Sequence, residues 1–155
     1  MSTRANIIIK ETHSYNDEKE KKVTETNKLI FYRHSDGYPE GTMPTLQIFL
    51  DWLKAGKIRA DLQQSSGWLI LIGAMEYNTI PSFETNQPRF EGGTKYGNID
   101  TIKQPEDWKC GAYEPTHCIH GDIEYLYVID LNKKQIKCYD SWTDEGEGGH
   151  ELKMD

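Results

Sequence analysis

Apolar and polar positions fall into distinct blocks along this chain. "ANIIIK", residues 5–10, is short and β-branched and predicts a strand. Residues 11–27, "ETHSYNDEKEKKVTETN", are charged and lack hydrophobic periodicity before Val23, so they read as a solvated loop or a long hairpin connection. "KLIFYRH", residues 28–34, predicts a second strand, antiparallel to the first. Leu46, Phe49, Leu50 and Leu53 then repeat at i, i+3, i+4 and i+7, one apolar stripe of a helix over 42–54. Thr42 is placed to cap that helix, Pro44 to occupy its first turn, and Gly56 to end it.

A second helix is expected over 61–77, with Asp61 and Gln64 resembling a capping box and Trp68, Leu71, Ile72 and Met75 at helical spacing. The run "WLILIGAM" alone would also suit a buried strand, and length favours the helix. Residues 79–107 are rich in Pro and Gly and carry Phe83, Phe90 and Tyr96, the pattern of a long functional loop. The last third is β-rich. Strands are expected over 107–114, 123–130 and 135–142, the last two joined by the "LNKK" turn. In 123–130, Ile123, Tyr125, Tyr127 and Ile129 share one face. Residues 143–155 are acidic and Gly-rich and predict a flexible tail after a single domain spanning 1–142. The order ββαα-loop-βββ predicts an α+β fold, a largely antiparallel sheet with two helices packed on one face.

Composition narrows the class. With 155 residues the chain is long enough to bury its own core, and its nine Tyr, four Trp and four Phe set it apart from disordered sequences. No apolar run is long enough to span a membrane, and the three-residue run near the N-terminus is too short for a secretion signal. A cytoplasmic setting is therefore expected, with the three cysteines as reduced thiols. A net charge of −7 argues against broad binding of duplex nucleic acid. It leaves room for a local basic pocket holding one small anion, or for a basic partner surface.

Two polar clusters carry the candidate chemistry. One is Arg33, His34, Asp36 and Tyr38 in "FYRHSDGYPEG"; the other is His117, His120, Asp122 and Glu124 in "THCIHGDIEY". Asp36, Gly37, Pro39 and Gly41 suit a strand-to-helix turn without further function. Alternation along the strand points Arg33 and Phe31 one way, Tyr32 and His34 the other. At the rim of the core Arg33 needs a partner, either a carboxylate such as Glu124 or a ligand phosphate. Cys110, His117, Cys118 and His120 lie close in sequence, but their C-x6-H-C-x-H spacing matches no common zinc pattern, so no metal is expected. Cys118 or Ser35 beside a histidine forms no recognisable nucleophile motif. "EGGTKYG" lacks the spacing of a phosphate-binding loop.

The segments "MSTRANI", "YRHSDGYPEG" and "HGDIEYLYVID" resemble a family of small, mostly uncharacterised proteins carried by phages and mobile elements. Those proteins have an R-H-x-D-G-Y-P-x-G segment followed by an H-G-D-I-E-Y segment. The matching positions are Arg33, His34, Asp36, Gly37, Tyr38, Pro39, Gly41, His120, Gly121, Asp122, Glu124 and Tyr125. The resemblance implies a phage setting, in the host-cell cytoplasm, where small acidic proteins counter host defence. No activity comes with it.

Three functions follow as expectations. The first is sequestration of a small anionic ligand, a nucleotide above all, with Arg33 and His34 on phosphate, Tyr38 or Tyr125 stacking on a base, and His120, Asp122 and Glu124 completing the site. The second is an acidic inhibitor of a host defence protein, acting through Asp144, Glu145, Glu147 and Glu151. The third is a metal-independent phosphodiesterase using His34 and His120 as an acid/base pair, with Asp122. The leading expectation names no catalytic residue and no cofactor, and it allows a homo-oligomer.

Overall fold

The computed structural model describes residues 2–78, 110–143 and 148–153. In chain order the elements are β1 (Ala5–Asn16), β2 (Lys22–Arg33), α1 (Pro39–Lys54), α2 (Leu62–Asn78), β3 (Glu114–Thr116), β4 (Tyr125–Asp130), β5 (Gln135–Tyr139) and β6 (Glu151–Leu152). Among the described residues the strands form one six-stranded sheet in the order β3-β2-β1-β4-β5-β6. Every pairing is antiparallel except β1 with β4, which is parallel. The expected α+β fold is therefore what the chain adopts.

β1 lies at the centre of the sheet, and both of its faces are covered. That is why its apolar run is unbroken rather than alternating. Ala5, Ile7 and Ile9 face Leu46, Phe49 and Leu53 of α1 and Leu62, Leu69 and Ile72 of α2. Both helices thus pack on one face, here called the near face. On the far face Ile8, Tyr32, Leu126, Val128 and Tyr139 form a second cluster, closed over by Ile119, Ile123 and Trp142.

Several elements differ from expectation, each for a physical reason. Of the two readings of residues 11–27, the long hairpin connection is the one the chain adopts, and most of it is strand rather than loop. β1 and β2 run on as a two-stranded arm to a turn at 17–21, with Asn16 opposite Lys22. The arm buries almost nothing, so it writes no hydrophobic period into the sequence. α1 begins at Pro39 with Tyr38 as its N-cap; the Thr42 hydroxyl instead donates to the Asp36 carbonyl at 2.8 Å. Pro44 consequently sits inside the helix rather than in its first turn. In α2 the buried stripe is Leu62, Ser65, Leu69 and Ile72, whereas Leu71 and Met75 face solvent. The helix is apolar nearly all round, so spacing alone cannot select its buried side. Gly73 does select it, because a Cβ there would lie 2.8 Å from the Tyr113 ring.

β4 starts at Tyr125 and β5 ends at Tyr139, both shorter than expected. The described part of the expected tail is ordered. Leu152 pairs with Cys138 and Glu151 with Tyr139, and Leu152 packs against the near-face core. Gly149 permits this return, since a Cβ there would overlap the Ser141 carbonyl. The expected loop over 79–107, with Phe83, Phe90 and Tyr96, lies outside the described residues, as do Asp144, Glu145 and Glu147.

Candidate functional site

The opening cluster divides at the strand end, as alternation requires. Arg33 points to the near face and is 1% exposed. Its Nε donates to the Ser35 carbonyl at 2.8 Å, Nη1 to Glu76 Oε1 at 3.1 Å, and Nη2 to Glu76 Oε2 at 2.8 Å and the Gly41 carbonyl at 3.2 Å. The guanidinium also lies 5.3 Å from the centroid of the Tyr113 ring. Burial works against its charge, but Glu76 and Tyr113 more than offset this and hold its pKa above the ordinary value. The expected partner, Glu124, is exposed, and the carboxylate that closes the pair is Glu76 of α2. Arg33 therefore ties the β2–α1 turn to α2 and offers no open face to an anion.

The turn itself follows from its residues. Asp36 adopts a positive φ of 56°. Gly37 packs so closely on Arg4 and Ala5 that a Cβ would sit 2.9 Å from the Arg4 carbonyl carbon. The Tyr127 hydroxyl, buried beneath, donates to the Gly37 carbonyl at 2.7 Å. Tyr38 caps α1 and its hydroxyl donates to Asp36 Oδ1 at 3.1 Å.

On the far face the two polar clusters meet. Their centre is Tyr32, 5% exposed. The His120 ring stacks on it at 4.0 Å between centroids and 17° between planes. The His34 ring meets it edge-on at 4.4 Å and 82°. The Tyr32 hydroxyl donates to Asp122 Oδ2 at 3.0 Å, and burial, then Asp122, raises its pKa so that it stays a donor at neutral pH.

Each imidazole also has a polar partner. His34 Nε2 lies 2.9 Å from Glu114 Oε2, and His120 Nε2 lies 2.9 Å from Thr116 Oγ1. Both partners come from β3, which pairs with β2 at Ile30, Phe31 and Tyr32. Arg4 Nε stands 3.5 Å from Asp122 Oδ2. The segment carrying His120 is pinned by Asn6, fully buried in β1. Asn6 Oδ1 accepts the His120 backbone N–H at 2.8 Å, and Nδ2 donates to the Phe31 carbonyl at 2.8 Å.

Of the residues singled out in sequence, the fold brings His34, His120 and Asp122 together. Arg33 lies on the opposite face, Tyr38 turns to Asp36, Glu124 is exposed, and Tyr125 packs against the near-face core. Sequence reasoning missed Tyr32, Glu114, Thr116, Arg4 and Asn6. Asn6 had a readable signal, a lone amide inside an apolar central strand.

Chemically the patch holds two solvent-reaching imidazoles, a guanidinium and an aromatic platform, balanced by Asp122 and Glu114. Among the described residues no three His, Cys, Asp or Glu side chains gather in a metal-binding arrangement. Cys110, Cys118 and Cys138 are free thiols. No helix among the described residues is long and apolar enough to cross a membrane. Compared with protein-family models, curated proteins and solved structures, the chain matches none.

Proposed function

We propose that the protein binds a small anionic ligand of the nucleotide class on the far face, at the patch of Arg4, Tyr32, His34, His120 and Asp122. The observation that supports this reading is the meeting of His34 and His120, from distant parts of the chain, on one tyrosine ring. Imidazoles and Arg4 supply charge-assisted donors for phosphate oxygens, and the His120–Tyr32 stack supplies a flat surface for a base. Arg33 takes no direct part, because Glu76 already occupies it. In the phage setting that the motif resemblance implies, such binding would remove a nucleotide signal from host defence.

One observation favours a second reading, a metal-independent phosphodiesterase. Glu114 orients the His34 imidazole as a carboxylate orients a catalytic base.

A thermal scan against cyclic di- and trinucleotides and ADP-ribose derivatives tests both readings. At a hundredfold excess over Kd, binding adds about 2.7 kcal/mol, a rise of several degrees. His34→Ala with His120→Ala should abolish the shift. Intact ligand recovered after denaturation supports sequestration, and a cleaved product supports the second reading. No shift for any member at millimolar concentration refutes both.

A further inference from the structure

β6 closes one side of the described sheet, and it is a preformed edge rather than a frayed end. The Asp140 N–H donates to the His150 carbonyl at 3.1 Å, the His150 N–H donates to Ser141 Oγ at 2.8 Å, and His150 Nδ1 lies 2.6 Å from Asp140 Oδ1. Leu152 then pairs with Cys138 and packs against the near-face core.

The same bonds fix which backbone groups point outward. Hydrogen-bonded and non-hydrogen-bonded pairs alternate along an antiparallel ladder. Asp140–His150 is a hydrogen-bonded pair, so Cys138–Leu152 is the next, and Tyr139–Glu151 between them is not. Glu151 and Lys153 consequently turn their N–H and C=O groups to the outer edge, where no described residue bonds to them.

Side chains on this edge sort by face. Glu151 pairs with Tyr139 of the far-face cluster, so Glu151 and Lys153 project to the far side and Leu152 to the near side. Glu151 and Lys153 are exposed. Glu151 Oε2 stands 4.0 Å from Lys137 Nζ, and among the described residues Lys153 forms no ion pair. Beside Leu152 an open groove of 590 Å³ runs between β6 and the start of α1. Pro39, Met43 and Pro44 wall it together with Leu152, and Glu40 and Lys153 stand at its polar margin.

An edge of this kind accepts a further strand, and β6 is its own complement. A two-fold dimer that continues the sheet pairs β6 antiparallel with β6 of a second copy. Three registers align the outward groups of Glu151 and Lys153. Two of them set like charges directly opposite, glutamate on glutamate or lysine on lysine, which is unfavourable. The third puts Leu152 on the axis. Glu151 then lies opposite Lys153 of the second copy, and Lys153 opposite its Glu151, each a hydrogen-bonded pair with opposite charges on the far side. On the near side the two leucines meet at the short spacing of a non-hydrogen-bonded pair and bring the two grooves together.

We propose that β6 is a homodimer interface, built in this register, that joins the sheets of two copies of the chain into one. Pro39, Met43 and Pro44 close over the paired leucines from both sides. Both helical layers then lie on one side of the joined sheet and both histidine patches on the other.

Sedimentation equilibrium of the full chain, from micromolar to millimolar concentration, tests this. A monomer–dimer equilibrium is expected. Glu151→Lys and Lys153→Glu change exposed side chains, and each sets like charges opposite one another at both pairs. Each should weaken the dimer at least about tenfold. The double variant restores opposite charges and should recover the dimer to within about threefold of the unaltered chain. Loss of the Lys137 contact cannot imitate that recovery, because the double variant does not rebuild it. Pro44→Lys takes a proline out of the helix interior, so it spares the fold, and it should weaken the dimer by charging the groove. A monomer at every concentration overturns the proposal. So does a dimer that the single reversals leave unchanged, or one that the double variant fails to restore.

Discussion

The Arg33–Glu76 pair gives the sharpest test of how this fold is held. Glu76→Ala would leave the buried Arg33 guanidinium with the Ser35 and Gly41 carbonyls and the Tyr113 ring beside it and no carboxylate bonded to it among the described residues. Removing one partner of a buried ion pair costs about 3–5 kcal/mol. The Glu76 side chain is 21% exposed, so water reaches one side of the pair and the lower end applies, about 3 kcal/mol. For a chain of this size that corresponds to a fall in Tm of about 6–12 °C. Urea unfolding at neutral pH measures it, with an unchanged m-value showing that stability alone has moved. Arg33→Met combined with Glu76→Leu should recover most of the loss, since both charges are then gone from the interior. A loss below about 1 kcal/mol for Glu76→Ala would refute the reasoning, because it would mean that the guanidinium finds water or another acceptor unaided. The variant should also leave ligand binding on the far face intact at temperatures where it remains folded.

Other predictions concern the far face, the helix packing and alkaline pH. Asn6→Ala leaves the His120 N–H without its acceptor; it should cost about 1–3 kcal/mol, and amide exchange at His120 should rise toward that of exposed residues. Gly73→Ala drives a Cβ to within 2.8 Å of the Tyr113 ring, and should destabilise by about 1–3 kcal/mol in thermal unfolding. Burial raises the Cys138 thiol from 9.0 to about 11 and the Tyr113 phenol from 10.0 to about 12. Raised folded-state values mean that this stability is whole below the unfolded pKa and is lost as pH rises through the folded one. Urea midpoints should thus stay level up to about pH 9 and fall progressively toward pH 12, with unchanged midpoints at pH 11 as the contrary result.

What the sequence disclosed tracks what burial writes into it. The strands at Ile7–Ile9 and Tyr125–Asp130 are buried on both faces and the stripe of α1 packs on one of them, so their apolar patterns are legible. The arm escaped because a ribbon wet on both faces needs no apolar alternation. The buried side of α2 escaped because Leu69, Ile70, Leu71 and Ile72 are equally apolar, and the choice was made by what Gly73 admits. At the site, alternation correctly separated Arg33 from His34 and put Tyr32 beside the histidine. The meeting with His120 depends on β3 and on Asn6, and a polar contact between distant segments has no periodic signature. The partner of Arg33 did leave a trace. Glu76 falls one helical turn after Ile72, on a stripe otherwise apolar or small, where a carboxylate needs a cation.

The parallel pairing of β1 with β4 also bears on how the chain is made. Residues 5–10 find their parallel partner only at 125–130. At about 5–20 residues per second on the ribosome, several seconds separate the two strands. During that interval β1 and β2 can zip and α1 and α2 can settle on Ile7 and Ile9, yet the edge of β1 that takes β4 and the far face at Ile8 await the final third of the polypeptide. Synthesis stalled before residue 125 would leave β1 with an unpaired edge and an apolar flank at Ile8, surface of the kind on which incomplete chains aggregate.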